Sequence, residues 1–228
     1  MNIADTPVSR CAGLAGIGIY GMCLVLILLL GGCALPVQAP RPATYDFGPG
    51  LLTAALTDSR ARPPILVLEM TDANPALDST AVLYRLAYAD SQQLHPYSLA
   101  RWSMPPNQLL LQYLRAQLGR HYTLLSAGED DGLSGAGPAR PGRFTLRIEL
   151  EEFSQLFTAP DNSVGLLRLR ATVTQDRGTG ERTLAQRSIV AQRPAPSADA
   201  RGGVRAMTAA ADAAVQDLEH WLDAVSQP

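Results

Sequence analysis

Few side chains in this sequence are typed and spaced for chemistry. The three cysteines, Cys11, Cys23 and Cys33, all fall within the first 33 residues. The rest of the chain has no thiol for a disulfide, a zinc site or a nucleophile. The three histidines, His95, His121 and His220, stand far apart, and none has the His-x-x-x-His spacing of a metal site. No Gly-x-Ser-x-Gly elbow marks a hydrolase. Lys is absent, all 19 basic residues being Arg, so a Walker phosphate loop is impossible. Glu149, Glu151 and Glu152 come nearest to an acid–base group. Strand alternation sets Glu149 and Glu151 on one polar face about 7 Å apart, which is ordinary for a solvated strand. No catalytic residue, metal ligand or cofactor is expected. One residue stands out by position. Cys33 follows a polar start bearing Arg10, an apolar stretch over residues 12–30, and Gly31-Gly32. That order is a secretion signal ending in a cleavage point.

The elements behind these residues can be read from periodicity. Residues 36–42 carry Pro36, Pro40 and Pro42 and predict a stiff, extended tether. Residues 65–70 and 81–86 read as buried strands, and 93–97 as a short third strand that Pro96 confines to an edge. Pro105-Pro106 opens a helix in which Leu110, Tyr113, Leu114 and Leu118 recur at three- and four-residue spacing, and Gly119 stops it. A short strand follows at 122–125, then a Gly/Pro/Asp-rich loop over 127–142. Phe144, Leu146, Ile148 and Leu150 alternate with charged or polar residues, as do Leu167, Leu169, Ala171 and Val173. The turn at Asp161-Asn162-Ser163 makes these two an antiparallel pair, with Glu149 and Glu151 near Arg168 and Arg170. A second hairpin turn over 176–180 leads to a strand over 183–190. A helix over 198–225 closes the chain, with Val204, Met207, Ala211, Val215, Leu218 and Leu222 on one stripe. The expected fold is α+β: one twisted, mainly antiparallel sheet packed against two helices.

Composition sets the outer bounds. The chain has 228 residues, 46% hydrophobic and 18% charged, with net charge -2. That is one folded domain rather than a disordered chain. The near-neutral balance argues against a nucleic-acid partner.

Leu30-Gly31-Gly32-Cys33 resembles the lipobox of bacterial lipoproteins. The resemblance implies cleavage before Cys33 and lipid on its sulfur. An uncut transmembrane helix is the alternative for residues 12–30, but Gly13, Gly16, Gly18 and Gly21 weaken that helix. Ala34 stands where an Asp favours retention in the inner membrane, so the resemblance implies the periplasmic face of the outer membrane. Further on, Leu94-His-Pro-Tyr97, Arg101-Trp102-Ser-Met-Pro105-Pro106 and the leucine-rich helix resemble the ABC-type transport auxiliary lipoproteins, the PqiC-like family. The chain departs from that pattern in its loop at 127–142 and its longer tether.

The resemblance implies three segments: a signal peptide over 1–32, a lipidated Cys33 with its tether over 33–62, and the auxiliary lipoprotein domain over 63–226. It also implies a non-enzymatic role in an ABC/MCE-type lipid transport system. The partners would be MCE-domain and ABC transporter components, and self-association into a homo-oligomer stays open. Tyr97 and Trp102 have two readings, as aromatic area buried between strand and helix or as anchors for a partner. A rival function is a periplasmic carrier holding acyl chains in its own cavity, which needs an apolar pocket of several hundred Å³.

Overall fold

The computed structural model describes residues 40–49, 64–71, 74–126, 143–176 and 180–226. The expected signal peptide, Cys33, most of the tether and the loop at 127–142 lie outside the described residues. Among the described residues, eight strands and two helices appear. The strands are β1 (Ala43–Tyr45), β2 (Ile65–Thr71), β3 (Ala81–Leu86), β4 (Asp90–Trp102), β5 (Thr123–Ser126), β6 (Arg143–Ala159), β7 (Asn162–Asp176) and β8 (Glu181–Pro194). The helices are α1 (Pro106–Leu118) and α2 (Ala200–Ser226). The fold is α+β, with one large mixed, mostly antiparallel sheet.

β6 is the strand on which the sheet divides. One of its edges pairs with β7 from Phe144 to Ala159, and β7 pairs in turn with β8. The opposite edge is shared. β2 runs parallel to residues 143–149, and β3 runs parallel to residues 155–157. β5 extends the sheet beyond β2, and β4 and β1 extend it beyond β3. Between the two parallel partners β6 carries an extra residue, Glu151, so that Leu150 faces Leu169 but Glu152 faces Arg168. The amide of Asn74 donates to the Glu151 carbonyl at 3.0 Å and fills a bond that neither neighbour supplies.

This bulge also decides which residues enter the core. Before it, Leu146, Ile148 and Leu150 face inward; after it, Phe153 does, and all four are buried. A strict alternation would have turned Glu152 inward. The extra residue keeps it beside Arg168 and lets Phe153 take the apolar side.

The inward face meets α2. Leu167, Leu169, Ala171, Val173, Ile189 and Ala191 from β7 and β8 pack with Val204, Met207, Ala211, Val215, Leu218 and Leu222. The approach is close because glycines permit it. A Cβ built on Gly165 would lie 2.2 Å from the Ala206 backbone, and one on Gly203 would lie 1.9 Å from Gln155 Oε1. The helix starts on a cap. Asp199 Oδ1 accepts from the Gly202 N–H at 2.7 Å and from the Ser197 hydroxyl at 2.8 Å, which holds its carboxyl below the ordinary carboxylate value.

Two parts of the sequence reading change. The short strand expected at 93–97 is the middle of the 13-residue β4. Residues 43–47, read as tether, form β1 and an aromatic contact in the core: Ala43 pairs with Ala100, and the Phe47 ring packs on Trp102. Only Tyr45 and Phe47 stand out among prolines and small residues there, too little for a periodic signal.

Candidate functional site

β4 carries the most irregular backbone and both aromatic residues singled out from sequence. Against β3 it pairs Arg101 with Ala81, Pro96 with Leu83, His95 with Tyr84 and Asp90 with Leu86. β4 therefore uses five residues where β3 uses two, twice over, and bows away from its partner at 91–94 and at 97–100. Side chains hold both excursions. Arg85 reaches the carbonyls of Ser91 at 3.4 Å and Gln92 at 3.0 Å. Arg101 turns back to the carbonyls of Tyr97 and Ala100, the latter at 2.8 Å. Each guanidinium supplies donors that the broken ladder lacks.

Tyr97 and Trp102 share this strand but not a cluster. Trp102 is 2% exposed and packs with Phe153 at 5.4 Å and Phe47 at 5.8 Å between ring centroids. Its indole N–H has no hydrogen-bond partner among the described residues, and the Phe47 ring stands nearly perpendicular to it. Tyr97 is half-buried in a second group, 4.6 Å from Tyr84, which stacks on His95 at 5.1 Å and meets Phe157 at 6.0 Å. The Tyr97 hydroxyl donates to Gln155 Oε1 at 2.8 Å, and Gln155 Nε2 donates to the Ser163 hydroxyl at 2.8 Å. Burial, then the nearby Tyr84 and Asp199, push the Tyr97 phenol well above its ordinary value, so it stays a neutral donor. Sequence spacing could not join Tyr84, Gln155 and Ser163, because three separate strands bring them together.

The glutamates are neutralised in pairs. Glu151 meets Arg168 at 2.9 Å and also Arg170, while Glu149 lies 3.5 Å from Arg170. Arg147 bridges Glu69 and Glu181, each at 2.8 Å. Glu152, 8% exposed, accepts from Arg85 at 3.1 Å and from the Ser154 hydroxyl at 2.6 Å. These carboxylates hold cations already. Apart from the buried Glu152, their chemistry is that of a solvated, ion-paired sheet face. No group of His, Cys, Asp and Glu among the described residues could hold a metal ion. No helix among them is long and apolar enough to cross a membrane.

Two open hollows flank Phe47. One of about 440 Å³ lies between β1 and α2, beside Asp46, Ser103, Arg205 and Asp212. The other, about 480 Å³, lies between α1 and α2, beside Tyr113, Gln117, Arg120 and Glu219. Burial raises the pKa of Tyr113 and of Glu219, and Asp212 adds to the first by a hydrogen bond. An apolar recess between the sheet and the end of α2 measures only about 10 Å³, roughly one water.

The model of the ABC-type transport auxiliary lipoprotein component family matches residues 45–219. The chain belongs to this family. The match begins at Tyr45, in β1, so the edge strand is part of the family domain. A solved structure of a Xanthomonas campestris protein from the DUF330 family is similar to this chain. It has a TM-score of 0.57 and 16% identity, over 84% of this chain and 91% of the other. An uncharacterized protein matches with a TM-score of 0.54 and 12% identity, over 80% and 99%. Both likenesses speak for the fold. No curated protein matches the sequence.

Proposed function

We propose that the chain is a non-enzymatic subunit of an ABC/MCE-type lipid transport system. Lipid on Cys33 holds it at the periplasmic face of the outer membrane, where it docks the far end of the periplasmic assembly. Membership of the auxiliary lipoprotein family, matched over residues 45–219, carries this reading. Two features of the body favour contact over chemistry and carriage. The glutamates of the sheet face are spent on arginines, and the recesses described are either open to solvent or water-sized. An acyl chain needs an enclosed apolar chamber.

Affinity purification of the tagged chain from native membranes in mild detergents tests the assignment. MCE-domain and ABC components are expected to co-purify from the wild type. From Cys33→Ser they are not, and that variant accumulates as unlabelled, uncut precursor. Recovery of no transport component from wild-type membranes would sink the reading.

A further inference from the structure

The register of β1 gives the direction in which the chain enters its first strand. β1 runs parallel to β4, with Ala43 beside Ala100 and Tyr45 beside Trp102. The chain before Ala43 therefore runs toward the earlier part of β4, which starts at the β3–β4 turn. β6 runs parallel to β3, and β7 and β8 alternate in direction. One end of the sheet thus gathers the β3–β4 turn at Tyr88, the β6–β7 turn at Pro160-Asp161, the end of β8 at Arg193 and the start of α2 at Arg201.

Chain length limits which end can meet the anchor. Ala43 follows Cys33 by ten chain steps, which reach at most about 33–36 Å. Tyr88 lies about six strand residues beyond the level of Ala43, roughly 20 Å along the direction from which the chain arrives. The opposite end, at Arg143, lies about nine residues the other way, roughly 30 Å. Bringing that end to the anchor would double the tether back at nearly full stretch.

The same end carries an exposed aromatic side chain. Tyr88 is 49% exposed in the turn Ala87-Tyr88-Ala89, whereas the exposed Leu99 lies back at the level where β1 pairs. Charge is balanced there. Exposed Arg41, Arg193 and Arg201 offset exposed Asp90, Asp161 and Asp199 among the described residues. Contact through this end therefore rests on an amphipathic ring and short-range hydrogen bonds, not on a field. Tyr is suited to the headgroup level of a bilayer for that reason.

We propose that this end is a membrane-contact surface, with the β3–β4 turn resting Tyr88 in the headgroup layer of the leaflet that holds the anchor. The inference rests on lipidation at Cys33. The ligand is a phospholipid surface, met without dependence on anionic lipid.

The test uses the full, processed chain in vesicles of phosphatidylethanolamine and phosphatidylglycerol, with and without brominated acyl chains. Tyr88→Trp and Ala89→Trp place an indole on the turn; His121→Trp places one at the opposite end. Flotation is scored first, and a wild-type chain that does not float overturns both the lipidation reading and this one. In floating protein, brominated lipid should remove about half of the emission added at 88 or 89, as for a side chain ~5–10 Å into the interface. Emission added at 121 should be unchanged, and 0.5 M salt should not restore the loss, ~3–5 Å being the Debye length there. Floating protein whose turn indoles escape quenching, or whose quenching is confined to position 121, overturns the orientation alone. The turn would then be left to a protein partner or a second copy.

Discussion

The half of the sheet beneath α2 and the limb made by β3, β4 and β1 solve one problem in opposite ways. Each must bury a face while keeping its backbone hydrogen-bonded. β6, β7 and β8 do so with long ladders interrupted only by single-residue shifts, and glycine at 165 and 203 lets the helix close on them. The β4 limb breaks its ladder twice, and Arg85 and Arg101 supply the missing donors. Regular pairing makes the first half tolerant of surface change and intolerant of added bulk. Irregular pairing makes the second depend on single polar side chains.

Four substitutions probe that contrast. The largest effect is expected from Gly165→Val, whose first side-chain carbon would fall on the Ala206 backbone. A loss of about 3 kcal/mol in urea-unfolding stability is expected, since the helix cannot yield without disturbing its whole stripe. An unchanged midpoint would show that α2 is not seated as described.

Next comes one change made in both halves. Arg101→Met strips the donors from the carbonyls of Tyr97 and Ala100 and should cost about 1–2 kcal/mol. Arg168→Met, on the regular outer face, removes an exposed ion pair with Glu151 and should cost about 0.5 kcal/mol or less, fading with salt. Equal losses in the same denaturant series would erase the distinction.

Between those two values falls Asp199→Ala, which uncaps α2 and should cost about 1 kcal/mol at neutral pH. Its carboxyl is held below the ordinary value of 3.8 by the Gly202 N–H and the Ser197 hydroxyl. The capping contribution is thus full above that pH and lost as pH falls through the folded-state value. Melts of variant and wild type should converge in acid. Glu219 runs the other way. Burial raises its pKa, so its charge weakens the fold as pH rises through the carboxylate range.

The same contrast explains what could be read from sequence. Phe144 to Leu150, Leu167 to Val173 and the stripe from Val204 to Leu222 announce their periods locally, and the facing of Glu149 and Glu151 on Arg168 and Arg170 follows from them. Helix α1 is legible from Pro106 and Gly119, which mark its two ends. β4 is not legible. Its bows put Ser91, Gln92, Ser98 and Leu99 off any two-residue alternation, and its pairing depends on arginines whose targets no spacing rule predicts. The parallel alignment of β2 and β3 on one edge of β6 is likewise invisible, because no turn connects either strand directly to β6. Trp102 and Tyr97 could be named as distinctive, but their separation into two clusters depended on Phe47 and Tyr84.

The three-residue strand β1 has a mechanical consequence. It lies along β4 rather than across its end, and the Ser103 N–H donates to the Tyr45 carbonyl at 2.7 Å just beyond the pairing. A pull on the chain ahead of Arg41 acts along the strand axis, so it loads these bonds together in shear instead of opening them one by one. Phe47, wedged against Trp102 and Phe153, then acts as a stop knot behind them. Strain entering through the leash would be handed to the hydrophobic interior before it could peel the edge.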